Sequence, residues 1–247
     1  MVVYVDKSGA GLDVDEVVNN FSAPTYMWFD TDRLKTKVWV WNNHGSNYWV
    51  WGLGETLTKA NDIYSLYHIK MPTNMMVTGV SSTAYPWLYL GCRNSGSSYS
   101  HDNGVGVYLR WNNFGGGNYG AYAYSYICAS DGTYKTAGPF PAAGWLTPGG
   151  VYYFESIYDS GTGKNTTNIY NMAMGLLDTL TTASIDVADD FSVNQGGIYN
   201  RASPGNTNTG YYSSSQFEIY SVYVSSDAGG GVLPAASMTR MQFGSGL

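Results

Sequence analysis

Four glutamates, three histidines and two cysteines carry much of the reactive chemistry in this 247-residue chain, and their spacing offers little to catalysis. Glycoside hydrolysis needs two carboxyl groups held about 5–10 Å apart, one as acid and one as base or nucleophile. Glu16, Glu55, Glu155 and Glu218 are far apart in sequence, and the nearest acidic cluster, Asp13-Val-Asp-Glu16, reads as an exposed turn or helix start. Glu155 and Glu218 fall on expected strands, which leaves one distant pair open. His44, His68 and His101 are isolated, with no H-E-x-x-H, His-x-His or C-x-x-C spacing to hold zinc. Gly115-Gly-Gly-Asn-Tyr-Gly120 fits G-x-G-x-x-G in letters only. It leads into a strand at Tyr122 rather than a helix, so no helix N-terminus faces a pyrophosphate, and it reads as a hairpin loop. Gly161-Thr-Gly-Lys-Asn165 lacks both the first glycine and the final Ser/Thr of a P-loop. The one cofactor with any ligand set is Ca²⁺, through Asp186, Asp189 and Asp190, with Asp102 and Asn103 second. Cys92 and Cys128 make either one bridge or two buried thiols.

Aromatic residues at every second position are the stronger signal. Lys37-Val-Trp-Val-Trp41 and Tyr48-Trp-Val-Trp51 flank Asn42–Asn47. A hairpin symmetric about Gly45 sets Trp41 opposite Trp49 and Trp39 opposite Trp51, with all four indoles on one face. That face is either core or a ring-stacking platform for sugars or a partner. Tyr122, Tyr124 and Tyr126 share one face of a second strand while Ala123, Ser125 and Ile127 take the other. Small residues facing inward allow close sheet packing and leave a tyrosine stripe outside, where each ring offers a flat apolar surface and a hydroxyl. The opposite orientation makes the rings core.

The elements that position these residues are strands. Ile63–Ile69, Trp87–Leu90, Gly106–Trp111, Tyr122–Cys128, Val151–Tyr158 and Phe217–Val224 are short, aromatic and β-branched, with Gly, Asn, Ser or Pro at their ends. Such runs predict an all-β, two-sheet antiparallel sandwich or barrel. Helical stretches are expected only at Asp13–Asn20 and Asn171–Thr179. Residues 1–35 read as an N-terminal arm or attachment segment, 36–228 as the sandwich, and 229–247 as a glycine-rich break and tail.

Composition narrows the classes. Charged residues are 12 % and aromatics 16 %, with 23 Tyr, 8 Trp and 31 Gly, the reverse of a disordered chain. The formal charge of −6 and the scattered basic residues exclude a phosphate-neutralising stripe, so nucleic acid is not an expected partner. No apolar run reaches membrane-helix length, and the N-terminus lacks the charged start and apolar stretch of a signal peptide.

From Gly149 to Ala228 the order of elements resembles the C-terminal half of a concanavalin A-like lectin/glucanase (laminin-G-like) sandwich. Val151–Asp159 resembles that family's long strand ending in Tyr-Asp; the turn Ser160–Gly163 and the strand Thr167-Asn-Ile-Tyr-Asn171 follow, and Ser215–Ser225 resembles the closing strand. Met172 and Tyr223 stand where the family has Gly and Arg. The resemblance implies a jelly-roll-like sandwich of the kind found on carbohydrate-binding proteins, adhesins and phage virion proteins. Hydrolases of the family carry Glu-x-Asp-x-(x)-Glu on one strand, a pattern missing here.

The expected function is therefore non-enzymatic: a structural or adhesion component of a phage or viral virion, as head decoration, fibre or tail protein. Its expected partners are copies of itself, other virion proteins and glycans, and membrane insertion is not expected. The alternative is a secreted or cell-surface carbohydrate-binding module, and a polysaccharide hydrolase or lyase comes third. The candidate binding residues are Trp39, Trp41, Trp49, Trp51, Tyr122, Tyr124 and Tyr126.

Overall fold

A computed structural model of the chain describes residues 2–12, 17–19, 27–36, 46–73, 87–96, 103–113, 119–185, 190–201 and 216–226. Among the described residues, fifteen strands form two antiparallel sheets: β1 Val3–Ser8, β2 Val17–Asn19, β3 Met27–Asp30, β4 Arg33–Thr36, β5 Ser46–Thr58, β6 Ile63–Lys70, β7 Trp87–Arg93, β8 Gly104–Asn113, β9 Tyr119–Cys128, β10 Tyr134–Phe140, β11 Val151–Asp159, β12 Lys164–Asn171, β13 Leu176–Thr181, β14 Ser192–Arg201 and β15 Phe217–Ser225. The first sheet runs β13-β12-β11-β6-β15-β4-β3, with β1 also on β15; the second runs β10-β9-β8-β7-β14-β5-β2. The two-sheet antiparallel sandwich implied by the resemblance over residues 149–228 is the architecture observed.

The six strands expected within residues 63–69, 87–90, 106–111, 122–128, 151–158 and 217–224 are present, because alternation between a buried and a less buried face is the condition for a half-covered sheet. The inward set, including Leu34, Tyr67, Ile69, Leu90, Val107, Phe154, Ile169, Ile198 and Val222, forms one core between the sheets. The β11–β12 hairpin turns where the sequence places it. Asp159 pairs with Lys164, Asp159 Oδ1 accepts from Gly161 N at 2.8 Å, and Gly163 adopts φ 66°, a left-handed value that favours glycine.

The helical expectations are not met. Val17–Asn19 is β2, paired with Trp49, Tyr48 and Asn47, and the 176–181 stretch is β13, zipped to β12. Pairing to a neighbouring strand overrides the weak local helix preference, which Gly175 lowers further. Residues 3–8 and 27–36, within the segment set apart as an arm, supply β1, β3 and β4 to the first sheet. Residues 229–247 lie outside the described residues.

The symmetric tryptophan hairpin does not form at Trp49. Its two cross-strand neighbours are Ile198 of β14 and Val17 of β2, so no place remains for Trp41 beside it. Trp39 and Trp41 themselves lie outside the described residues.

Candidate functional site: the aromatic outer face of the second sheet

Trp49 and Trp51 point into the core and are buried, with Trp49 Nε1 donating to Leu12 O at 3.0 Å. On β9 the small residues Ala121, Ala123 and Ser125 and the larger Ile127 face the other sheet, all fully buried. Tyr122, Tyr124 and Tyr126 therefore occupy the outer face. Tyr126 is fully buried there, whereas Tyr122 and Tyr124 are half-buried.

Register extends this stripe across the sheet. Tyr199, Tyr89, Tyr108 and Tyr124 stand directly opposite one another on β14, β7, β8 and β9. One step along the strands, Trp87, Arg110 and Tyr122 form a second row. On the other side of the tyrosine row, Gly197, Gly91 and Gly106 stand in line and lead to Tyr126. Backbones crowd here: a Cβ on Gly91 would lie 2.2 Å from Val105 O, and one on Gly106 2.2 Å from Leu90 O.

The rings pack on each other. Tyr108 and Tyr124 stack at 4.7 Å with planes 4° apart, Tyr89 meets Tyr126 edge-on at 5.3 Å, and Trp87 lies 6.0 Å from Tyr108. Such pairs add roughly 0.5–1.5 kcal/mol beyond area burial, so the face is a rigid surface. Burial pushes the Tyr108, Tyr124, Tyr126 and Tyr134 phenols upward, keeping them neutral at physiological pH. The partly open margin, Trp87, Arg110, Tyr122 and Tyr124, combines flat apolar rings, hydroxyls and one guanidinium. Trp87 and Tyr122 are two strands apart, about 9.6 Å by strand spacing and close to the length of a disaccharide.

The outer face of the first sheet holds Glu155, Glu218 and His68. Glu155 is fully buried and accepts from Tyr64 Oη at 3.0 Å, Tyr170 Oη at 2.9 Å and Asn168 Nδ2 at 2.8 Å. Glu218 is paired with Arg33 at 2.7 Å and Lys70 at 3.1 Å. Burial raises its pKa, but the hydrogen bonds from Arg33, Lys70 and Tyr220 outweigh this and hold it at about 2. Glu155 pairs with Leu66 and Glu218 with Lys70 of the intervening strand. The two carboxyls are thus two strands and four residues apart, about 16 Å, beyond the window for glycoside hydrolysis. His68 is stacked on Tyr153 at 4.2 Å and tilted against Tyr220 at 4.9 Å. Burial pushes its pKa down to about 4.

Asp190 is exposed, Asp186 and Asp189 lie outside the described residues, and no group of three or more metal-ligating side chains occurs among the described residues. Cys92 faces the inter-sheet core and Cys128 the outer aromatic cluster, so they lie on opposite faces and are not bridged. Burial raises the Cys92 thiol to about 12, which leaves it unreactive. No helix among the described residues is long and apolar enough to cross a membrane.

Sequence reasoning missed the partners Trp87, Tyr89 and Tyr108, which lie on runs with visible alternation, and Tyr199, which lies on the glycine-containing strand β14 that the sequence did not declare. It also missed a groove at the sandwich edge beside Trp145, where the ends of β10 and β12 and the chain leading into β11 come together.

Likeness to known proteins is confined to the fold. No protein-family model and no curated protein sequence matches the chain. A protein of unknown function from Shewanella oneidensis MR-1 superposes with a TM-score of 0.50 at 13 % identity, over 84 % of this chain and 76 % of that one. The binding domain of Paraclostridial Mosquitocidal Protein 1 superposes with a TM-score of 0.51 at 9 % identity, over 97 % of this chain and 51 % of that one. Winged bean acidic lectin, in complex with methyl-α-D-galactose, overlays more loosely, with a TM-score of 0.47 at 12 % identity over 90 % and 96 %. At these identities the likeness is one of fold. The chain is a two-sheet antiparallel β-sandwich.

Proposed function

We propose that the protein is a non-catalytic adhesion module that binds a neutral, hydroxyl-rich glycan along the row Trp87–Arg110–Tyr122. The observation that carries this reading is the in-register alignment of these residues on the half-open margin of a rigid aromatic face. Stacking on Trp87 and Tyr122 takes the apolar faces of two sugar rings, and Arg110 between them donates to ring hydroxyls. A charged ligand is not required, since the rings are neutral and a single arginine lies between them.

The setting we propose is a phage or viral particle, with the sandwich as a decoration, fibre or tail protein. The low charge and the Gly-, Tyr-, Asn- and Ser-rich composition support it. A secreted or cell-surface carbohydrate-binding module uses the same chemistry and is separated from the first setting by whether purified particles contain the chain. Glu155 is saturated with donors and Glu218 is held by two cations, which favours binding over turnover.

A glycan array tests the reading. The wild type is expected to retain neutral glycans, and Trp87→Ala or Tyr122→Ala to weaken the best hit by roughly five- to tenfold. No retention of any glycan, or polysaccharide turnover lost in Glu155→Gln or Glu218→Gln, overturns it.

A further inference from the structure

We propose that the glycan row does not end at Tyr122 but continues over the sheet edge to Trp145 and into the groove beside it, so that the site takes a linear neutral oligosaccharide longer than a disaccharide. The inference rests on the glycan reading of Trp87, Arg110 and Tyr122 and extends it to a surface that reading leaves unused.

The backbone carries the row onward. β10 accompanies β9 only as far as Phe140, opposite Ala123. Beyond that point the chain around Leu146 takes over the free edge, with Leu146 N donating to Ala121 O at 2.9 Å. Leu146 and Ala121 both belong to the inter-sheet core, so the neighbouring Trp145 turns to the outer face. Gly120 fixes that placement. It shares the outer face with Tyr122, and a Cβ built on it would lie 2.4 Å from Trp145 Cβ and 2.5 Å from Trp145 Cγ. The indole therefore rests on the bare backbone of Gly120, beside Tyr122 and on the side away from Arg110.

Trp145 is open where the rest of the aromatic face is covered. Among the described side chains it is the one aromatic ring that stands exposed, at 40 %, whereas Trp87, Tyr122 and Tyr124 are half-buried. Past it lies the groove of about 500 Å³, with Phe140 and Tyr152 as floor and Asn171 and Leu177 on the first-sheet side, a size typical of a ligand site. Its polar groups are set to donate. Asn171 Oδ1 accepts from Ala173 N and Gly175 N at 2.9 Å each, which leaves the Nδ2 hydrogens for a ligand. Tyr152 Oη accepts from Thr147 N at 3.0 Å and keeps its own hydrogen. Donors above an aromatic floor suit the hydroxyl and ring oxygens of a sugar.

Continuity selects a glycan over other neutral ligands. Trp145 stands about one strand spacing beyond Tyr122, so a chain laid along the row reaches it without turning. Trp87 to Trp145 spans three spacings, about 14 Å, against about 9.6 Å for Trp87 to Tyr122. A third ring covers Trp145 and a fourth enters the groove.

Calorimetric titration with cello-, malto-, laminari- and manno-oligosaccharides of two, three and four units tests the proposal. In at least one series the wild type is expected to gain about three- to tenfold in affinity from disaccharide to tetrasaccharide. Trp145→Ala is expected to erase that gain while leaving disaccharide binding and the melting temperature unchanged, and Trp145→Phe to keep part of it. Asn171→Asp retains an oxygen for the turn but loses the donor, and is expected to weaken the tetrasaccharide alone. A disaccharide bound as tightly as the tetrasaccharide, or a gain that survives Trp145→Ala, overturns this inference and leaves the row standing. Equal weakening of every length in Trp145→Ala also overturns it. A wild type that binds no member of any series overturns the row and its extension together.

Discussion

Asn165 on β12 and Gly106 on β8 tie the two sheets together through the core: Asn165 Nδ2 donates to Gly106 O at 2.9 Å. The same amide nitrogen lies 3.0 Å from Ser125 Oγ and 3.2 Å from Tyr126 O, and Asn165 Oδ1 accepts from Ser156 Oγ at 2.8 Å. A fully buried asparagine thus serves polar groups on β8, β9 and β11 from a single position. It sets the inner side of β8 and β9, whose outer side carries Arg110, Tyr122 and Tyr124.

Replacing Asn165 by leucine leaves Ser156 Oγ without this partner and removes the donor to Gly106 O and Tyr126 O. Each buried group so orphaned costs about 1–3 kcal/mol, and the members of the network are coupled. Urea unfolding is expected to show a loss of about 2–4 kcal/mol for Asn165→Leu. A loss below about 1 kcal/mol would mean that the bridge is replaceable by packing.

The glycine row gives a second expectation. Gly91→Ala places a methyl 2.2 Å from Val105 O, a backbone atom that cannot rotate away, and overpacking of this kind costs about 1–3 kcal/mol. Gly52→Ala meets nothing within 4 Å and is expected to stay within about 0.5 kcal/mol of the wild type. Thermal melts of the two variants separate steric need from simple strand propensity.

His68 makes stability depend on pH. Its folded pKa, about 4, lies below the ordinary 6.5 because burial between Tyr153 and Tyr220 disfavours the imidazolium. Between those values the unfolded chain binds a proton that the folded chain refuses. Stability is therefore full above about pH 6.5 and falls as the pH drops toward 4, by on the order of 3 kcal/mol. Glu218 acts in a lower window. Its carboxylate is favoured in the fold, so that contribution is present above its ordinary 4.5 and lost as the pH falls through about 2. His68→Phe is expected to flatten the stability profile from pH 6.5 to 4 while leaving the lower step, and chemical denaturation at stepped pH measures both. An unchanged slope in the variant would assign the upper step to other groups.

What could be read from the chain follows from the range of each interaction. Strand faces are local: Ile63–Lys70 and Val151–Asp159 declare their alternation within a few residues, and both are strands as expected. Pairing is not local. Trp49 is flanked by Ile198 and Val17, one far along the chain and one from a segment that reads as helix. For the same reason Tyr122 and Tyr124 were visible as one strand's stripe, while Trp87, Arg110 and Tyr108 joined them only once the register of β7, β8 and β9 was set. The buried state of Tyr126 is equally illegible, because a ring on an outward position is covered or open according to its cross-strand neighbours. Asn165, which reads only as the residue that spoils a P-loop, gains its role from sheet-to-sheet contact.

The length of the bound sugar tests the central claim most directly. Calorimetric titration of one glycan series, from monosaccharide to disaccharide and longer, is expected to show weak binding of the single ring. A gain of roughly tenfold or more is expected at the disaccharide, where both Trp87 and Tyr122 are covered. Tyr122→Ala is expected to erase that gain while leaving the weak single-ring binding. No heat with any member of the series, or the same gain in Tyr122→Ala as in the wild type, would contradict recognition along this row.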